Sequence, residues 1–419
     1  MKNQSVGLLS PYRVLELTDE KGFLCGKLLA DLGADVIKIE KPGGDPARNI
    51  GPFYKDIVDP QKSLYWFAFN TGKRSITLDI ESGEGQEIFK RLVATADFVI
   101  ESFPVGHLDK LGLGYSTLSQ INPKTIMTSI TPFGQSGPYK DYKGCDLVTM
   151  AMAGVVYVSG DSDRPPVRIS FPQAYQFAGA EAAVGTLMAL HHRTLTGEGQ
   201  HVDISMHWSA IAAQYDILSW WVTGKRIYRR QGSSRVRPQT GVEFQQMWPC
   251  KDGFVTFYYF GGLVGASGNK ALVAWMESEG FDCGFMKDKD WSAHDWGKVT
   301  QEEVNHMEEP TGAFFRSHTK GELYDGAVER GILLYPVSTA KDMLENRQLR
   351  SREYWVELEH PELDTKITYP GSWVRASETA CNVSRRAPLI GEHNDDIYGK
   401  KELALSNEEI ISLKRRKII

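Results

Sequence analysis

Two periods of apolar spacing take turns along the first part of the chain. Tyr12 to Leu17 is a short β-rich run, and Lys27–Leu32 reads as helix. Asp35 to Glu40 alternates as Asp-Val-Ile-Lys-Ile-Glu, a second strand that Pro42-Gly43-Gly44-Asp45 breaks. Strand, helix and strand in so short a span make a βαβ unit. The alternation continues with Ser75–Leu78 as strand, Gly83–Ala96 as helix, and Asp97–Glu101 and Thr125–Ile130 as strands. Such a series predicts an α/β fold: a parallel sheet with helices on both faces and a ligand at the carboxyl ends of its strands.

Further on, Ala174 to Arg193 is the strongest helix candidate, ending at Thr194-Leu195-Thr196-Gly197. A strand His201–Ile204 follows, then an apolar helix from His207 to Thr223. From Gly224 the composition changes: Lys225, Arg226, Arg229, Arg230, Arg235 and Arg237 crowd around Gly232-Ser233-Ser234, which reads as a linker into a second domain beginning near Trp248. Phe254 to Phe260 looks like a strand, and Gly261, Gly262, Gly265 and Gly268 lead to a helix from Asn269. Their spacing is not Gly-x-Gly-x-x-Gly and no acidic ribose clamp follows, so a mobile loop over a pocket is expected rather than a dinucleotide site. The basic run Lys414–Lys417 is expected to be a frayed helix end.

Composition removes several classes. With 53 acids against 48 bases the net charge is −5, which argues against an electrostatically driven nucleic-acid binder. Leu147 to Val158 is the longest mostly apolar stretch, too short for a membrane span, and Met1 to Ser10 lacks the pattern of a signal peptide. A cytoplasmic protein is expected. Five scattered cysteines without a Cys-x-x-Cys pair disfavour a disulfide framework and structural zinc, and no histidine spacing suggests a metal. Gly-x-Ser-x-Gly is absent, so a nucleophile-elbow hydrolase has no support.

Several segments in order resemble the class III CoA-transferase family, the group that includes formyl-CoA transferase, carnitine CoA-transferase and α-methylacyl-CoA racemase. They are Leu28-Leu29-Ala30-Asp31-Leu32-Gly33-Ala34-Asp35 running into Val36-Ile37-Lys38-Ile39-Glu40, Asn70-Thr71-Gly72-Lys73-Arg74-Ser75, and Leu108-Asp109-Lys110-Leu111-Gly112. Phe133-Gly134-Gln135-Ser136-Gly137-Pro138-Tyr139, Thr196-Gly197-Glu198-Gly199-Gln200-His201-Val202-Asp203 and Ala387-Pro388-Leu389-Ile390-Gly391-Glu392-His393 follow. The resemblance implies a Rossmann-like large domain over 1–223 and 350–419 and a small α/β domain over 225–340. Linkers at 224–247 and 340–350 would join them into a ring-shaped protomer that interlocks with a second ring as a dimer.

One departure decides the functional expectation. In the family an aspartate attacks the acyl-CoA thioester and passes through anhydride and aspartyl-CoA intermediates, which only a carboxyl group can form. That position falls on Tyr175, and a phenol is only about 0.1% ionised at neutral pH. Glu181 lies six residues on, on a different helix face, and Asp161 and Asp163 fall in a predicted loop. The racemase branch pairs this aspartate with a histidine, and the histidine position is Cys145, so racemisation is disfavoured too.

The resemblance assigns a pocket for coenzyme A or its thioesters to Lys41, Leu78, Ser102, Phe103, Lys110, Lys143 and Met206, with no tightly bound cofactor. The usual Asn-Phe-Arg-Pro-Gly reads Ser102-Phe103-Pro104-Val105-Gly106, losing an amide and an arginine. A scaffold without its nucleophile resembles the non-catalytic subunit of the heteromeric benzylsuccinate CoA-transferase, whose partner chain carries the aspartate and takes CoA from succinyl-CoA. A self-sufficient transferase with a relocated carboxylate, or a CoA-ester binding protein, are the alternatives.

Overall fold

The N-terminal alternation resolves into a six-stranded, all-parallel sheet. The computed structural model describes residues 7–237, 240–399 and 402–419. Its strands are β1 (Arg13–Leu17), β2 (Asp35–Glu40), β3 (Arg74–Thr77), β4 (Phe98–Glu101), β5 (Ile126–Thr131) and β6 (His201–Ser205), in the order β3-β2-β1-β4-β5-β6. Val14 pairs with Val36 on one side and Phe98 on the other, so the order reverses at β1 and β4. In such sheets the crevice at that reversal takes the ligand.

Nine helices are labelled between and after these strands: α1 (Phe23–Asp31), α2 (Leu64–Asn70), α3 (Gly83–Val93), α4 (His107–Lys110), α5 (Tyr115–Ile121), α6 (Asp146–Met152), α7 (Gln173–Thr196), α8 (Met206–Ala212) and α9 (Tyr215–Gly224). Strand residues alternate between two buried faces. Val14, Val36, Phe98 and Ile130 pack with α1 and α7, while Leu15, Ile37, Val99 and Met127 pack with α3 and the C-terminal Ile410 and Leu413. The strands therefore read as nearly continuous apolar runs.

The expected helix 207–223 is two helices. They part at Gln214, which leaves helical geometry and donates its side-chain amide to the Ala153 carbonyl. The C-terminal basic run is not frayed either. Lys414 meets Asp395 at 2.9 Å, Arg416 chelates Glu84, and the Asp79 N–H donates to Ile418 O at 2.7 Å, while Ile410 and Leu413 anchor the helix beneath. The Ala387–His393 motif covers the exposed edge of β3. His393 exchanges bonds with the Ser75 backbone, and the Asn394 side chain accepts from the Thr77 N–H at 2.9 Å.

The chain divides into two units, and the sheet unit comprises 1–156, 169–225 and 347–419. The second unit takes in 226–346 together with 157–168, a stretch expected above to belong to the large domain. Arg230 joins it to 226–346, donating to the Tyr157 carbonyl at 2.8 Å and lying over the Tyr157 ring. Within 224–247, read above as linker, Ser234–Val236 pairs with Glu243–Gln245 as a hairpin. The glycine-rich stretch is no loop: the strand Gly253–Thr256 ends early and a helix runs over Gly262–Ser278. A Cβ at Gly265 would stand 2.2 Å from the Phe260 carbonyl, so glycine lets the helix start tight against the preceding turn. Trp248, Phe257, Tyr259, Trp275, Phe314 and Phe315 fill this unit's core.

Beneath the carboxyl ends of β1 and β2 lie three buried ion pairs: Lys73–Glu16 at 2.8 Å, Lys38–Asp45 at 3.0 Å and Arg48–Glu40 at 2.6 Å. Lys73 also donates to the Phe23 carbonyl and the Asn70 amide oxygen, tying α1 and α2 to β1. Burial pulls Lys73 down to about 8, with Glu16 acting in the opposite direction. A Cβ at Gly26 would stand 2.6 Å from the Glu16 carboxylate, which accounts for the glycine inside α1. We expect Lys73→Met to cost about 3–5 kcal/mol, because it strands a buried carboxylate. Adding Glu16→Leu should recover much of that loss. Guanidinium denaturation of the two variants checks both signs, and a single variant as stable as wild type would refute the assignment.

Candidate functional site

At the reversal of strand order, the loops after β1, β2 and β4 enclose a cavity of about 420 Å³. Leu17, Leu78, Ile80 and Phe103 form its apolar walls, and Lys21, Lys38 and Lys41 bring cations to it. Burial opposes the charge on Lys38, yet Asp45, Glu16 and Glu40 outweigh it and raise its pKa above the ordinary lysine value. The Lys38 amine also donates to the Thr18 carbonyl, which fixes where the loop after β1 begins.

Of the residues assigned to a coenzyme pocket, Lys41, Leu78, Ser102 and Phe103 come together here. Lys41 is exposed and 3.3 Å from Glu81. Phe103 is half-buried, stacked on His107 with ring centroids 4.7 Å apart. Ser102 does not leave a gap where an amide was expected. Its hydroxyl donates to the Asp19 carboxylate at 2.8 Å and accepts the Asp19 N–H at 2.9 Å. The other three stand apart from this cavity. Lys110 and Lys143 are exposed, and Met206 is fully buried in the same core cluster as Tyr175.

Tyr175 sits in the first turn of α7, buried. The Asp146 carboxylate accepts the neighbouring Ala174 N–H at 2.8 Å. Burial, reinforced by Glu20, Cys145 and Asp19, pushes the phenol up to about 12, although the Asp146 backbone N–H acts in the opposite direction. Roughly one molecule in 10⁵ is then ionised at neutral pH. Neither thioester attack nor proton abstraction is open to such a group. Cys145 is exposed at the start of α6.

The carboxylates acting on Tyr175 are therefore not those considered along the sequence. Glu181 is exposed and accepts the Ser209 hydroxyl at 2.5 Å, and Asp161 and Asp163 belong to the second unit. Glu20, in the loop after β1, is the residue that sequence reasoning missed. Burial first, then Asp19, raises its pKa above the usual carboxylate value, and its charge is felt by Tyr175 and Tyr65. Nothing along the chain announces this, because the loop meets α7 only through the fold. Asp19 joins the two places, lining the cavity and acting on Tyr175.

Comparison with known proteins agrees with this geometry. The model of CoA-transferase family III matches residues 9–394. The BbsE subunit of succinyl-CoA:(R)-benzylsuccinate CoA-transferase from Thauera aromatica is 36% identical over 394 residues, covering 93% of each chain. Succinyl-CoA–D-citramalate CoA-transferase of Chloroflexus aurantiacus is 32% identical, covering 98% of each. Among solved structures, a CAIB/BAIF family protein from Brucella suis superposes with a TM-score of 0.81 at 28% identity, covering 95% of this chain and all of that one. With the family's motifs in order and its parallel sheet in place, the chain belongs to CoA-transferase family III.

Proposed function

We propose that this chain is the non-catalytic subunit of a heteromeric CoA-transferase. Its partner is a second family III chain with aspartate at the position of Tyr175, moving CoA from succinyl-CoA to a carboxylic acid of the benzylsuccinate kind. The observation that carries the reading is Tyr175 itself, a buried phenol held neutral where the reaction needs a carboxylate. The similarity to the Thauera subunit supports it and suggests the class of acceptor acid.

The surface of α7–α9 supports a partner chain. Val184, Met188, Trp208, Leu218, Trp221 and Val222 are all exposed on these helices. So many large apolar side chains exposed on three successive helices support an interaction surface there. A second family III chain, interlocked with this one as two rings, would cover it.

The cavity at the head of β1, β2 and β4 suits the nucleotide end of coenzyme A. Phe103 offers a flat face to a purine, Leu78 and Ile80 the opposite wall, and Lys21 and Lys41 face phosphate charge. In this reading the chain binds and orients CoA esters or braces the partner's ring, while the covalent steps occur on the partner's aspartate.

A second reading rests on Glu20, whose protonation is shifted beside Tyr175. There the chain would transfer CoA alone, with Glu20 as the acyl acceptor. The two readings separate cleanly. We expect the homogeneous chain to give no transfer from succinyl-CoA to benzylsuccinate, and the co-expressed pair to give turnover that survives Tyr175→Phe here. Turnover by the homogeneous chain that is lost in Glu20→Gln would replace the first reading with the second. Binding of CoA esters without transfer in either preparation would leave a binding protein.

The pocket assignment has its own test. Phe103→Ala should weaken CoA binding to the full-length chain by roughly tenfold, the loss expected for one base-aromatic stack. Isothermal titration with CoA measures it, and unchanged affinity would remove Phe103 from the site.

A further inference from the structure

A cavity of about 530 Å³ opens where the hairpin of Trp355–His360 and Thr365–Pro370 ends. It lies wholly within the sheet unit and shares no lining residue with the coenzyme cavity. Leu349, Val356 and Val383 give it apolar lining, and Tyr354 and Trp373 bring aromatic rings. An apolar, aromatic hollow of this size with a few charged groups is the ordinary form of a small-molecule site.

Two of its side chains are left without partners. Trp373 is 56% exposed, and no aromatic ring or cation stacks on its indole among the described residues. The charged residues lining the cavity are Arg352, Glu353 and Arg375. Arg375 meets Glu353 at 2.9 Å, so these two charges offset each other. Arg352 is exposed, and no carboxylate pairs with it among the described residues. The cavity therefore presents one unmatched guanidinium and one bare indole.

We propose that this cavity binds an aromatic carboxylic acid, with its carboxylate on Arg352 and its ring on Trp373. A guanidinium fork matches a carboxylate through two parallel hydrogen bonds. An indole takes a second ring in offset or edge-on contact. One unmatched cation suits a monoanion, whereas the several phosphate charges of a nucleotide would need more. A cationic ligand would meet excess positive charge and be repelled.

The frame around the two groups is set before any ligand arrives. The Gly371 N–H donates to the Tyr354 carbonyl at 2.6 Å, and a Cβ at Gly371 would stand 2.5 Å from that oxygen. Glycine thus lets the segment leading to Trp373 close against Tyr354. Glu353 takes a left-handed conformation at φ +53°, and its N–H donates to the Arg350 carbonyl at 2.9 Å. The Tyr354 N–H donates to the Leu349 carbonyl at 3.0 Å, so the turn from Arg352 to Tyr354 is held at both residues that follow the arginine. A site held in this way gives up little freedom on binding.

Isothermal titration of the full-length chain with phenylpropionate tests the assignment. We expect binding at one site that saturating CoA leaves in place, because the two cavities are separate. Phenylpropanamide, which lacks the charge, and propionate, which lacks the ring, should each bind about tenfold more weakly. Arg352→Gln and Trp373→Ala should each weaken phenylpropionate by roughly tenfold. Both side chains are exposed, so neither variant threatens the fold. Glu353→Gln carries the opposite sign. It frees Arg375 and removes a carboxylate from the cavity, and affinity should rise. A merely structural role for these residues would not produce that gain. Absence of binding, or binding that either Arg352→Gln or Trp373→Ala leaves unchanged, would overturn the proposal. Displacement by CoA would place the acid in the coenzyme cavity and overturn it as well. A fall in affinity in Glu353→Gln would overturn the assignment of charge on which the choice of ligand depends.

Discussion

The three ion pairs buried under β1 and β2 constrain everything at the ligand end of the sheet. Each joins a strand residue to a different part of the chain: Glu16 to Lys73 after α2, Lys38 to Asp45 in the loop after β2, and Glu40 to Arg48 beyond it. Arg48 also donates to the Pro388 carbonyl, so the C-terminal motif is anchored to the same set. Buried pairs of this kind add little net stability over well-packed apolar groups, but their directional bonds forbid alternative positions. What they hold in place is the loop Thr18–Gly22. Its start is fixed by Lys38 and its Asp19 by Ser102, and Asp19 both lines the cavity at the strand-order reversal and acts on Tyr175.

That loop is where the readable and the unreadable parts of the sequence meet. Strand β2 was predicted with both ends correct and the other five sheet strands within a residue of their ends, because a strand buried on both faces leaves an apolar run bounded by turns. The same clarity failed where a tertiary contact overrode local pattern. The run from His207 to Thr223 is largely apolar, and Gln214, bonded to Ala153, leaves helical geometry within it. The glycines around 262 read as a loop because their low propensity masks a packing reason, the close approach to Phe260. The terminal basic run read as a frayed helix end because its partners Asp395 and Glu84 lie elsewhere in the chain.

The site divides in the same way. Lys41, Leu78, Ser102 and Phe103 lie at strand ends or just beyond, where sequence position nearly dictates place, and they meet at one cavity. Met206 lies at the start of α8 and turns into the core. Lys110 and Lys143 occupy loops and short helices whose course the strand pattern does not determine. Glu20 was illegible for a different reason. A lone acid carries no signal until the fold supplies burial and neighbours, and for Glu20 these are Asp19 and Tyr175.

The surroundings of Tyr175 show how a phenol is accommodated at this buried position. A site that had merely lost a residue would leave buried polar groups without partners, and such groups destabilise by about 1–3 kcal/mol each. Here the Asp146 carboxylate takes the Ala174 N–H, and Ser102 exchanges two bonds with Asp19. Ser102 is thus satisfied locally, and Tyr175 adds aromatic surface to the core formed by α7 and Met206. At this buried place a neutral phenol carries a smaller desolvation cost than an ionised carboxylate would.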